Sequence, residues 1–128
     1  ATNLAVEKIP EKEIKKVNKI FERAKNDLDE DDVKMFVKAD TELHKMIIGN
    51  CGNKRLIKLI NNYNDRFVYY RIVDLSRVER SKNAYFEHLE IFEAVKNREV
   101  DKAVDLMGKH VEHAKEIIIK NFEEYNAL

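Results

Sequence analysis

Between residues 33 and 50 the chain reads Val33-Lys34-Met35-Phe36-Val37-Lys38-Ala39-Asp40-Thr41-Glu42-Leu43-His44-Lys45-Met46-Ile47-Ile48-Gly49-Asn50. Val33, Phe36, Val37, Asp40, Leu43, His44, Ile47 and Ile48 recur at three- and four-residue spacing, which places them on one face of a helix. Gly49-Asn50 supplies a stop. The acidic run Asp29-Glu30-Asp31-Asp32 just upstream would cap the start and meet the positive end of the helix dipole. Two positions of this otherwise apolar face are a carboxylate and an imidazole.

The same periodicity extends in both directions. Upstream, Leu4 to Ile9 reads as the tail of a helix stopped by Pro10, which suits the first turn of the next helix. That helix carries Ile14, Val17, Ile20, Phe21, Ala24 and Leu28 on one stripe. Downstream of a Cys51-Gly52-Asn53 turn, a fourth helix would turn Leu56, Leu59, Ile60, Tyr63, Phe67, Tyr70 and Val73 inward, with Arg66 and Arg71 on or beside that face. Ser76 to Lys82 is polar and poorly periodic, so a loop is expected there, with Ser81 or Asn83 as N-cap of a fifth helix running through Tyr85, His88, Leu89, Phe92 and Val95. Lys96-Asn97-Arg98 closes it. A sixth stripe follows: Val104, Met107, His110, Val111, Ala114, Ile117, Ile118, Asn121 and Phe122. The fold class is therefore all-α, an antiparallel bundle of about six helices.

Composition agrees. The 128 residues suit one domain, residues 1–128, large enough for a core without disulfides. With Gly 3 and Pro 1, the sequence is poor in turn formers, and 38% charged residues can solvate the outer helix faces. Lys+Arg 24 balances Asp+Glu 24, so there is no cationic excess of the kind that drives binding to phosphates. Nucleic-acid binding by this chain alone is not expected. One cysteine, no run of roughly 18 apolar residues and no signal peptide point to a cytoplasmic setting without membrane contact. The opening Ala1-Thr2, in place of Met, suggests a piece of a longer protein.

Asp40, His44, His88 and His110 all stand where periodicity asks for apolar residues, and an unpaired buried carboxylate costs several kcal/mol. Asp40 and His44, four apart, leave the same helix face and can converge on one ion, with His88 and His110 arriving from other helices. Three imidazoles and a carboxylate suit a divalent transition metal, Zn or Ni first, with Mn, Co or Fe also compatible, rather than Ca or Mg. The bland alternative pairs His88 with Glu87 or Glu90 and leaves His110 to packing. His113, at the stripe edge, reads as surface or as a neighbour of the ligands. Arg66 and Arg71 are boundary residues or, near an open metal position, a fork for a carboxylate, Arg71 being preferred. Cys51 reads as a structural turn residue, and no P-loop, dinucleotide fingerprint or HExxH occurs.

The run from Ala39 to Asn50 followed by Asn53-Lys54-Arg55-Leu56 resembles the D-x-x-F/L-H-x-x-I-x-x-x-x-G-N-x-x-L signature of the FCD domain, the effector-binding domain of FadR-subfamily GntR transcription regulators. Glu87-His88-Leu89-Glu90-Ile91-Phe92-Glu93-Ala94 is similar to its E-H-x-x-I-x-x-A-I segment, and Ala103 to Val111 to its A-x-x-x-M-x-x-H-I. The resemblance implies a metal held by Asp40, His44, His88 and His110, and a small organic acid bound through the metal and an arginine, Arg71 or Arg66. It further implies a homodimer that contacts DNA only through an N-terminal winged-helix domain, which this chain lacks. Two alternatives accompany this reading. One is a metal-dependent hydrolase, which would need a base beyond Asp40, since Glu42 and Glu87 lie off the ligand stripes by helical spacing. The other is a purely structural, metal-stabilised dimerisation bundle.

Overall fold

The computed structural model describes residues 1–27, 33–75 and 78–127, without the side chains of 67, 68, 70–81 and 125. Among the described residues there are six helices and no strand: α1 (Thr2–Ala5), α2 (Glu11–Asn26), α3 (Lys34–Gly49), α4 (Lys54–Leu75), α5 (Val78–Lys96) and α6 (Val100–Asn126). From α3 onward each helix packs on the one before it, as in antiparallel bundles. The all-α reading holds. Helix α3 is the hub, packing on α1, α2, α4 and α5, while α6 lies against α5 and α1.

Local chemistry explains most boundaries. Pro10 stands just ahead of α2 in extended conformation (φ −64°, ψ 142°), where its missing N–H costs nothing. The end of α3 is held by a side chain: Asn50 Nδ2 donates to Met46 O at 2.8 Å and to Glu13 Oε2 at 2.9 Å, tying the end of α3 to α2. The left-handed residue of this turn is Gly52 (φ 69°), and Asn53 Oδ1 then accepts from Leu56 N at 3.0 Å, capping α4. Asp29 to Asp32, the expected cap of α3, lie outside the described residues, as does Leu28.

The core matches the sequence stripes on α2, α3 and α5. Ile14, Val17, Ile20, Phe21 and Ala24 of α2 are buried, as are Phe36, Leu43 and Ile47 of α3 and Tyr85, Phe92 and Val95 of α5. Phe21 stacks on Phe92 at 4.8 Å, and Tyr85 sits between Phe21 and Phe36. The Tyr85 hydroxyl donates to Phe21 O at 3.1 Å, which satisfies its polar end, and burial pushes its pKa up, helped by Glu93.

Several expectations need correction. The first helix covers Thr2–Ala5 and gives way to a turn, yet Ala5, Val6 and Ile9 are all in the core. The helix α5 begins at Val78, so the expected loop is helical over 78–82, and Ser81 and Asn83 lie inside the helix rather than capping it. Glu, Arg and Lys are good helix formers, and a polar first turn leaves no apolar period to read. Leu59 and Tyr63 of α4 are exposed, not inward. Val104, Val111 and Phe122 of α6 are exposed too, because α6 is covered mainly along the α5 and α1 sides.

Candidate metal centre

Helices α3, α5 and α6 bring four polar side chains together between them. Asp40 comes from the middle of α3 and is 1% exposed; His44, one turn later, faces the same way. His88 enters from α5, buried, and His110 from α6, mostly covered. The Asp40 Oδ1 atom lies 3.2 Å from His44 Nε2 and 2.9 Å from His88 Nε2. His88 Nε2 in turn lies 3.2 Å from His110 Nε2. Each histidine of the trio offers a ring nitrogen, and all three nitrogens fall within 4.8 Å of one another.

The shorter of these spacings match donors around a common ion, whereas the widest imidazole pair, up to 4.8 Å apart, exceeds the roughly 4.2 Å that two such donors can span and would close in on binding. Two donors each about 2.1 Å from one metal, at angles between octahedral and tetrahedral, stand roughly 3.0–3.4 Å apart. The separations of 2.9–3.2 Å along the series His44, Asp40, His88, His110 lie at this value or just under it. The rings do not stack; His88 meets both His44 and His110 edge-on.

Electrostatics point the same way. Burial raises the Asp40 carboxyl, but hydrogen bonding and charge from His44 and His88 outweigh it and hold the group well below the ordinary carboxylate range. Asp40 is therefore an ionised oxygen donor beside three imidazoles.

Beyond the four expected residues, the structure adds one that sequence reasoning misplaced. Glu87 pairs with neither solvent alone nor His88: its Oε2 accepts from His110 Nδ1 at 3.2 Å and its Oε1 from His113 Nδ1 at 2.9 Å. Helical spacing does set Glu87 off the stripe of His88, yet that offset turns it toward α6. Only the packing of α6 on α5 reveals this, although the three-residue spacing of His110 and His113 already puts both rings on one side of α6. His113 is half exposed and meets Glu87 rather than joining the trio, so it is a neighbour of the converging imidazoles. Arg66 is exposed on α4, and the side chain of Arg71 lies outside the described residues. Cys51 is buried in its turn, as a structural residue would be.

No curated protein and no solved structure matches the chain significantly. The family model described as FCD domain matches residues 1–113, the span that contains all four converging side chains. With the bundle, the ordered motifs and that match in agreement, the chain belongs to the FCD family, the regulatory ligand-binding domain of GntR-type transcription regulators.

Proposed function

We propose that this domain senses a small carboxylate effector through a divalent transition metal held by Asp40, His44, His88 and His110. The observation that carries the reading is the convergence of one ionised carboxylate and three imidazoles, from three helices, at metal-like donor spacings. The donor set suits Zn or Ni, with Mn, Co or Fe also compatible. Such an ion, when bound, supplies a net positive centre of about +1 on which an anion can complete the coordination.

The chain's own residues do the rest. Asp40 lowers the charge of the centre and, by its burial, keeps water from that side. The three imidazoles bind neutral, so each must present a lone pair inward. Arg71, with Arg66 as the second candidate, would clamp the effector carboxylate as a fork. A ligand favouring one arrangement of the domain would shift the population of the whole regulator, which reaches DNA through a separate winged-helix domain. The homodimer reading is supported by the exposed Leu59, Tyr63 and Tyr69 on α4 and Val111, Ile119 and Phe122 on α6. The engagement of Glu87 by His110 and His113 supports sensing over hydrolysis, since that carboxylate already serves two imidazoles.

The first test is elemental analysis of the purified chain beside His110→Ala. About one equivalent of a transition metal in the parent, and little in the variant, is expected; no uptake even after reloading with Zn or Ni sinks the reading. Calorimetry with small di- and tricarboxylates follows. Arg71→Ala should weaken effector binding at least tenfold with metal content intact, and unchanged affinity removes Arg71 from the effector site.

A further inference from the structure

We propose that Glu87 is a positioning residue that fixes the tautomer and ring orientation of His110, with His113 holding the carboxylate in place. This rests on the metal reading above and deepens it. An ionised carboxylate only accepts hydrogen bonds, so the proton shared with Glu87 Oε2 must sit on His110 Nδ1. In the neutral ring the lone pair is then on Nε2. That is the atom lying 3.2 Å from His88 Nε2, inside the centre.

Left to itself the imidazole would have no such preference, because its second side-chain torsion is broad and the two tautomers are close in energy. A ring turned over, or protonated on Nε2, presents a C–H or an N–H to the site. Glu87 removes both alternatives at once. The carboxylate is itself located, since its other oxygen accepts from His113 Nδ1 at 2.9 Å. His110 and His113 are three residues apart on α6, so one carboxylate from α5 spans both rings and ties α5 to α6 beside the ligand they share between them. The half-exposed His113 has no need to touch the ion to matter. A carboxylate behind a ligand imidazole also raises its basicity.

Replacement of Glu87 by Gln isolates the effect, because size and shape are kept while one acceptor oxygen becomes an N–H donor. The amide can then serve only one of the two Nδ1–H groups. Where its N–H faces His110, the ring must carry its proton on Nε2, the ligand atom.

The experiment titrates the 128-residue chain and its Glu87→Gln variant with Zn2+ against a chromophoric chelator and records visible spectra with Co2+. In parallel, nitrogen-15 NMR of the metal-free proteins reads the imidazole tautomers at about pH 8, above the ordinary imidazole range. The expected result is a roughly 10- to 100-fold loss of affinity at unchanged stoichiometry, an altered Co2+ spectrum, and movement of the His110 proton from Nδ1 toward Nε2. Glu87→Ala should change affinity in the same direction, and matched circular dichroism shows that both variants are folded. Parental affinity, parental Co2+ spectrum and a retained Nδ1–H tautomer in both Glu87→Gln and Glu87→Ala overturn the proposal. Failure of the parent to bind either metal overturns the metal reading instead, and the tautomer measurement then decides alone whether Glu87 orients His110.

Discussion

Asp40 shows how one side chain can be unfavourable and indispensable together. Its burial alone would favour the neutral acid, and His44 and His88 keep it ionised. Because its folded pKa is depressed, its contribution to stability is present above the unfolded value of about 3.9 and is lost as pH falls through that value toward the folded one. Metal-free parent should therefore steepen in its loss of stability below about pH 4, and Asp40→Asn should flatten this acid limb while costing roughly 1–3 kcal/mol near neutrality. Denaturant unfolding across pH 2–7 checks both; a parallel pair of curves removes Asp40 from the acid response. The burial of Asp40 beside His44 was legible in the sequence because a carboxylate interrupts an apolar stripe. Glu87 was not, because its partners come from a helix whose placement no local pattern encodes.

Among the elements, the α5–α6 connection makes the sharpest demand. Only residues 97–99 separate the two helices, and the closure is the two-bond helix stop in which Arg98 N donates to Val95 O and Glu99 N to Ala94 O. Arg98 occupies the left-handed region at φ 57°, where glycine is preferred. The arginine side chain offsets this by reaching the N-terminal segment: Nη1 donates to Val6 O at 2.7 Å and Nη2 to Glu11 Oε1 at 3.0 Å. Arg98→Ala loses these bonds and keeps the backbone strain, a cost of roughly 1–3 kcal/mol. Arg98→Gly loses the bonds but relieves the strain, so it should be the milder variant by about 1 kcal/mol. Thermal melts of the pair test the order, and an Ala variant as stable as the Gly variant would show that the strain is not there. Sequence reading found the end of α5 at Lys96-Asn97-Arg98 but not this reach, which spans 92 residues of sequence.

For the molecule as a whole, the proposed metal centre would join α3, α5 and α6, so occupancy and folding would be linked. An ion at 100 times its Kd adds about 2.7 kcal/mol of stability, which for a domain of this size corresponds to roughly 10 °C in Tm. Chelation should lower the Tm of loaded parent by about that amount and leave His110→Ala unmoved; equal shifts in both would place the chelator's effect elsewhere. At this scale the sequence predicted the helix count and the inward face of α2, α3 and α5, where both sides of each stripe are covered. It overestimated burial on α4 and α6, since an apolar residue at the right spacing reads the same whether it faces a neighbouring helix or water. Leu59, Val111 and Phe122 are of the second kind.

The tight turn at 97–99 also sets a mechanical ratio. His88 and His110 stand on the two arms that leave it, each roughly 12–15 Å out at 1.5 Å per residue. One degree of opening between the arms displaces their tips by about 0.2 Å, the same size as the tolerance of a metal–donor bond. The hairpin thus works as a pair of callipers, whose jaws are two imidazoles and whose pivot grips the backbone of Val6. With an ion held as proposed, a change of coordination too small to count as a rearrangement would be registered there as an angle, at the point where the N-terminal segment is held.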